Sequence, residues 1–337
     1  MPTFPVHPNG NFLHARVRIA GHSPSLNAEF QMLRTILVPL DGSALAERAL
    51  SIAADIARRV GGAVHLVRAH VPIAVVGATA EGAIFSQDML AADDALRRRA
   101  TEYLDATATR VAAEWGLRVS ADTEDGSPAG LITDIAERLD ADLIVMTTHG
   151  AGGFTPDWLG SVADSVIRHS HRPVLALPEN DAHLGETFTP RRILVTLDGS
   201  ANSNAILPIA RDLAVAFGAE VDLVRIVAPY VPGDVVSTLA ADRPDPFGVD
   251  AESLHAKTSL DDAAAALHKA GIKSTTTVRV DLSPTRCLLD HIKETDPDCI
   301  AIATQGRGVS RIFLGSVADK LIRSAGRPVL VLRPPKA

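Results

Sequence analysis

The sequence predicts an α/β protein of two doubly wound domains, each built on a five-stranded parallel sheet. Three observations lead there. A chain of 337 residues with 46% apolar residues suits two cores, at about 150 residues per domain. It repeats itself internally, and a repeat sets the architecture before any local detail does. Within each copy, short branched apolar runs alternate with amphipathic segments, a pattern that needs right-handed crossovers and gives a parallel sheet covered on both faces.

The repeat is plain at both ends of each copy. RTILVPLDGSALAERAL from Arg34 answers RRILVTLDGSANSNAIL from Arg191, an offset of 198 − 41 = 157 at the aspartate. The hexapeptide LGSVAD stands at Leu159 to Asp164 and again at Leu314 to Asp319. After it, SVIRHSHRPVLALP matches KLIRSAGRPVLVLRP. Between the copies PENDAHLGETFTP has two prolines and no apolar periodicity, the composition of a linker. The expected boundaries are therefore a first domain over 34–178, a linker over 179–190 and a second domain over 191–334. Residues 1–33 match neither copy, mix Pro, Gly, Asn and Ser, and read as a disordered extension.

In the first copy ILVPL reads as a buried strand, and ALAERALSIAADIARRV has helical spacing with its charges on one side. Asp41 and Ser43 stand where a helix-start cap is needed. Strand AVHLVRAH, helix DDALRRRATEYLDATATRVAAEW, strand LRVSADTE, helix AGLITDIAERL, strand ADLIVMTT, helix GSVADSVIRH and strand PVLAL follow. The second copy reads the same through ILVTL, EVDLVRIV, IKSTTTVRV, DCIAIAT and PVLVL. Val71 to Ala91 and Ala228 to Asp250 are long connections, a length often found at functional loops. The last strand of each copy should lie at a sheet edge, and pairing the two edges would bury both.

Composition excludes several classes. A formal charge of −7 and 4% aromatics do not suit a nucleic-acid surface, which needs a basic stripe and stacking rings. No apolar run approaches the roughly 18 residues of a membrane helix, and no signal-peptide pattern opens the chain, so a cytoplasmic location is expected. Cys287 and Cys299 have no metal-ligand or CxxC spacing and read as small buried apolar residues. No GxSxG elbow, HExxH pair or GxxxxGK[ST] loop is present. His169 and His171 are two apart and share no helix face.

The hexapeptide carries the functional argument. In each copy a strand runs through a glycine-containing loop into LGSVAD, which opens a helix. Free amides and the positive dipole end at a helix start favour an anion, usually phosphate. Gly160 and Gly315 would let that guest approach the backbone without meeting a β-carbon, and Ser161 and Ser316 would add a hydroxyl donor. Ligands of doubly wound sheets sit outside the carboxyl ends of strands where strand order reverses. If the first strand neighbours the fourth, Asp41 faces Gly150 across that crevice and Asp198 faces Gly306. A carboxylate there suits a ribose hydroxyl or base amine and repels phosphate, so the aspartates belong to the nucleoside end. The alternative is that DGS and GSVAD are only turns and helix caps.

These residues resemble the universal stress protein family, in tandem, over nearly everything from Arg34 to Pro334. The family motif G-x-x-G, a spacer of about nine, then G-S is matched by Thr147 to Gly150, nine residues and Gly160-Ser161. In the second copy Ala303 to Gly306, eight residues and Gly315-Ser316 match it. Thr147 and Ala303 replace the first glycine, and Thr196 replaces the usual proline at Pro39. The resemblance implies adenine and ribose contacts at Pro39, Asp41 and Ala69, and at Asp198 and Ile226. It implies phosphate contacts at His149, Gly150, Gly160, Ser161 and Val162, and at Gln305, Gly306, Gly315, Ser316 and Val317. The implied ligand is ATP, alone or with Mg2+, and the implied role is regulatory, in a stress response through a protein partner, with slow hydrolysis at most. The resemblance also implies that the two halves pair within the chain about a pseudo-two-fold axis, with further homodimerisation left open. Arg307 and Arg311 in the second spacer suggest tighter triphosphate binding there. Two other classes stay open: a slow ATPase or adenylyl-transferring enzyme on the same fold, and a scaffold without ligand.

Overall fold

The computed structural model describes residues 33–73, 86–150, 159–179, 187–229, 249–304 and 314–334. The first half runs β1 (Thr35–Pro39), α1 (Ala44–Val60), β2 (Ala63–His70), α2 (Gln87–Trp115), β3 (Arg118–Asp125), α3 (Pro128–Arg138), β4 (Leu143–Thr147), α4 (Ser161–His169) and β5 (Val174–Leu177). The second runs β6 (Arg192–Thr196), α5 (Ala201–Asn204), α6 (Leu207–Phe217), β7 (Glu220–Val227), α7 (Val249–Lys269), β8 (Ser274–Val280), α8 (Pro284–Thr295), β9 (Cys299–Ala303), α9 (Ser316–Ser324) and β10 (Val329–Leu332).

Each half is the expected five-stranded parallel unit, and the strand order is 3-2-1-4-5 in the first and its counterpart in the second. That is the Rossmann order short of its sixth strand, with the reversal between β1 and β4. The two sheets fuse. β5 pairs antiparallel with β10, Leu175 opposite Leu330, so one ten-stranded sheet runs β3-β2-β1-β4-β5-β10-β9-β6-β7-β8. The pseudo-two-fold axis passes through that Leu175–Leu330 pair, and both expected edges are buried by it.

Alternation sorts the strands' side chains onto two faces. Ile36, Val38, Leu66, Val145, Leu175, Val195 and Leu330 share one apolar cluster with α1, α2, α6 and α7. Leu37, Val67, Ile144, Met146, Leu194, Ile302 and Val331 share the other with α3, α4, α8 and α9. Each fully buried aliphatic side chain contributes about 1.5–3 kcal/mol, and both clusters run without a break across the two halves. Cys287 and Cys299 are buried and form no disulfide, as expected of small core residues.

Several elements differ from the sequence expectation. Leu33, assigned to the extension, is instead 1% exposed and belongs to the first cluster. α2 starts at Gln87 and α7 at Val249, so each helix absorbs the end of a segment expected as connection. Ser86 supplies the α2 start, its Oγ accepting from Met89 N at 3.2 Å. The first helix of the second half is not a copy of α1: it breaks into α5 and α6, with Pro208 in the first turn of α6. Proline has no N–H to continue a ladder and fits only a first turn.

The linker is held to the first half near both ends, Arg48 Nη1 donating to Glu179 O at the near one. Phe188 N donates to Asp55 Oδ2 at 2.8 Å, inside the protein. Its ring meets Phe217 edge-on with centroids 5.3 Å apart, and the Arg59 guanidinium lies 4.5 Å from the Phe217 centroid. Asp55→Ala leaves that buried amide unsatisfied and should cost about 1–3 kcal/mol, read as a lower urea midpoint at unchanged slope. A second consequence is pH dependence. His291 on α8 is buried, and burial, with the nearby Arg279 charge, pushes its pKa below the ordinary 6.5. The unfolded chain therefore takes the proton first, and stability falls as pH drops below about 6.5. His291→Leu should flatten that slope in denaturation curves between about pH 7 and 5.

Candidate functional site

The strand-to-helix turn after β1 is built by its own three residues. Asp41 Oδ1 accepts from Ser43 N at 2.8 Å, and Ser43 Oγ accepts from Ala46 N at 3.1 Å, capping α1. Gly42 between them has φ +88°, and a β-carbon there would come within 2.9 Å of Arg68 Nη1. Only glycine suits both demands. After β6 the turn recurs: Asp198 Oδ1 accepts from Ser200 N at 2.8 Å and Ser200 Oγ at 2.6 Å, while Ser200 Oγ accepts from Ser203 N. DGS is therefore a turn and a cap, and it also fixes where each aspartate points.

Parallel pairing of β1 with β4 brings the carboxyl ends of both strands together. A β-carbon built on Gly150 would overlap Asp41 Oδ2, so this carboxylate and this glycine face each other as the sequence reading required. α4 starts beyond them at Gly160, which offers no side-chain cap. The amides of Ser161, Val162 and Ala163 thus have no acceptor within the helix. Gly160 N donates to Thr148 O at 2.8 Å, and a β-carbon on Gly160 would sit 2.9 Å from that oxygen. Gly315 repeats both contacts with Thr304 O. The physical reason for these glycines differs from the expected one: the carbonyl of the residue directly after the strand demands them, before any guest does.

His149 is buried between Thr148 and Gly150, its Nδ1 3.1 Å from Thr148 Oγ1 and its Nε2 without a partner among the described residues. Ala69 and Val162 pack partly buried on the α3/α4 face, and Pro39 closes β1 opposite Val67. In the second half Asp198, Ile226, Gly315, Ser316 and Val317 line one cleft of about 330 Å³ at the carboxyl ends of β6 and β9. Thr196, Ser203, Leu288 and Thr304 also line it, none of them expected as site residues. Gln305 and Gly306, with Arg307 and Arg311, lie outside the described residues. No cluster of three or more metal-ligating side chains occurs among the described residues.

The last letter of the hexapeptide has a role that sequence reasoning missed. Asp164 and Asp319 turn toward the pseudo-two-fold axis, each accepting from the arginine one turn on, Arg168 Nε at 2.7 Å and Arg323 Nε at 3.0 Å. The pairs also cross: Arg168 lies 3.8 Å from Asp319 and Arg323 lies 3.7 Å from Asp164. The hydrogen bond to Asp164, with the charge of Asp319, pushes the Arg168 pKa above its ordinary value. The signal was readable as the same D-x-x-x-R spacing after each GSVA.

The universal stress protein family model matches residues 32–178 and 189–333. The chain belongs to the universal stress protein family. This universal stress protein is 34% identical over 146 residues to one from Methanocaldococcus jannaschii, covering 43% of this chain and 82% of the relative. A universal stress protein of Mycobacterium tuberculosis is 27% identical over 276 residues, 79% of this chain and 87% of the relative. The fold is shared with the crystal structure of a universal stress protein from Archaeoglobus fulgidus, at a TM-score of 0.64 and 20% identity over 90% of this chain and 99% of that one. No helix among the described residues is long and apolar enough to cross a membrane.

Asp319→Lys sets a third cation beside Arg168 and Arg323. The four groups are partly solvent-exposed, so a loss of about 1 kcal/mol is expected, seen as a melting temperature a few degrees lower, with Asp319→Asn losing less.

Proposed function

We propose that this universal stress protein is a nucleotide-responsive regulator of a stress response that binds ATP, alone or with Mg2+, in two sites, one per half. The observation that carries the reading is the second-half cleft, which gathers Asp198, Ile226, Gly315, Ser316 and Val317 around one opening. Asp198 would hold the ribose or base there, and the uncapped start of α9 would hold the phosphates. Asp41, Pro39 and Ala69 would form the nucleoside end in the first half, and His149, Gly150, Gly160, Ser161 and Val162 the phosphate end. Gln305 and Gly306 join the second site by sequence correspondence.

Binding rather than turnover fits these residues. Efficient phosphoryl transfer wants a cation on the γ-phosphate and a group that positions the nucleophile, and the first spacer contains neither lysine nor arginine. Occupancy would act by mass action instead. At a thousand times the dissociation constant, bound ATP stabilises the native state by about 4 kcal/mol, enough to bias a protein partner's binding. A cytoplasmic location, where ATP is abundant, goes with this role.

Thermal melting with and without millimolar Mg-ATP is the test. The melting temperature should rise, and calorimetry should give two sites, with Asp41→Ala and Asp198→Ala each removing one. Ser316→Glu, which sets a negative charge at the α9 start, should cost more triphosphate affinity than Ser161→Glu at α4, because Arg307 and Arg311 accompany only the second site. An unchanged melting temperature would count against ATP as the ligand.

A further inference from the structure

Two hydroxyl groups in the second-half cleft have no use in the fold. Thr196, the last residue of β6, is 8% exposed, and Thr304, directly after β9, is 4% exposed; both line the cleft. Their backbones are engaged: Thr196 pairs in register with Val224, Thr304 N donates to Leu332 O, and Thr304 O accepts from Gly315 N, each hydrogen bond at 2.8 Å. Neither hydroxyl is hydrogen-bonded to another described residue, and neither belongs to the fully buried unpartnered polar atoms. Both residues line the cavity, so water satisfies these hydroxyls and a ligand can take its place.

The first half leaves neither group to its site. At the position of Thr196 stands Pro39, 196 − 39 = 157 residues earlier, with no hydroxyl to offer. The counterpart of Thr304 is Thr148, whose Oγ1 is engaged 3.1 Å from His149 Nδ1. The two halves therefore share their turn and helix start but differ in the groups left over to read a ligand.

Placement separates the two threonines by role. Thr196 lies two residues before Asp198, at the nucleoside end, and Thr304 touches Gly315, at the start of α9. Resting on the nucleotide reading above, we propose that Thr196 is a specificity-determining residue of the second site. Its hydroxyl hydrogen-bonds the base or sugar of a bound nucleotide, while Thr304 adds a donor to the phosphates. Recognition of the nucleoside in this half then rests on hydrogen bonds that the first half cannot make, so the two sites rank nucleotides differently.

The experiment uses the full chain carrying Ser161→Glu to weaken the first site, with ATP and inorganic tripolyphosphate as calorimetric probes and melting curves to verify folding. Thr196→Val, which keeps the branched shape and removes the hydroxyl, should weaken ATP binding about tenfold and leave tripolyphosphate within about twofold. Thr196→Ser, which restores a hydroxyl, should recover most of the ATP affinity. Thr304→Val should weaken both probes by similar factors. An ATP affinity unchanged by Thr196→Val, or an equal loss for tripolyphosphate, overturns the assignment alone. A folded parent that binds no ATP overturns the nucleotide reading itself, and the assignment with it.

Discussion

Parallel pairing of β1 with β4, and of β6 with β9, is the constraint from which the rest of the molecule follows. Because the chain leaves the two neighbouring strands toward opposite faces of the sheet, a crevice opens at their carboxyl ends. The DGS turn and the start of the hexapeptide helix are the two walls of that crevice. The same order leaves β5 and β10 with one unpaired edge each, and these short apolar strands cannot stand exposed. They satisfy each other, and two domains become one sheet.

The hexapeptide sits where these consequences meet. Leu159 and Leu314 are buried, Gly160 and Gly315 clear the carbonyl directly after a strand, Ala163 and Ala318 pack in the core, and Asp164 and Asp319 reach the axis. Ser161 and Ser316 remain exposed at the mouth. Both helices thus present a start that can receive an anion and a body bound to the other half. A chain with two such helices needs the six letters twice, because every one of them answers to the same surroundings in each copy.

Symmetry stops short of identity. Pro208 divides the first helix of the second half, placing Ser203 beside its cleft where the first half has Ala46. Thr196 replaces Pro39, and Thr148 is engaged by a histidine while Thr304 is not. The scaffold is held by backbone pairing and apolar packing, which tolerate such exchanges. The groups facing the cleft are the ones that changed, and they are the ones a ligand would meet.

The strands, the helices and the family were legible in the sequence because each rests on local, periodic facts: β2 and β7 over AVHLVRAH and EVDLVRIV, α1 over its full apolar stripe, LGSVAD in duplicate. The pairing of Asp41 with Gly150 was also legible, since strand order and motif spacing imply it. Other features were decided only in three dimensions. The Asp164–Arg168–Asp319–Arg323 network and the Asp55–Phe188 clasp join residues whose encounter depends on how one half meets the other. That Thr196 and Thr304 face one cleft, with hydroxyls bonded to no other described residue, is visible only in the folded chain. A residue's chemistry is written along the chain, whereas whether that chemistry is already satisfied depends on neighbours that only folding supplies.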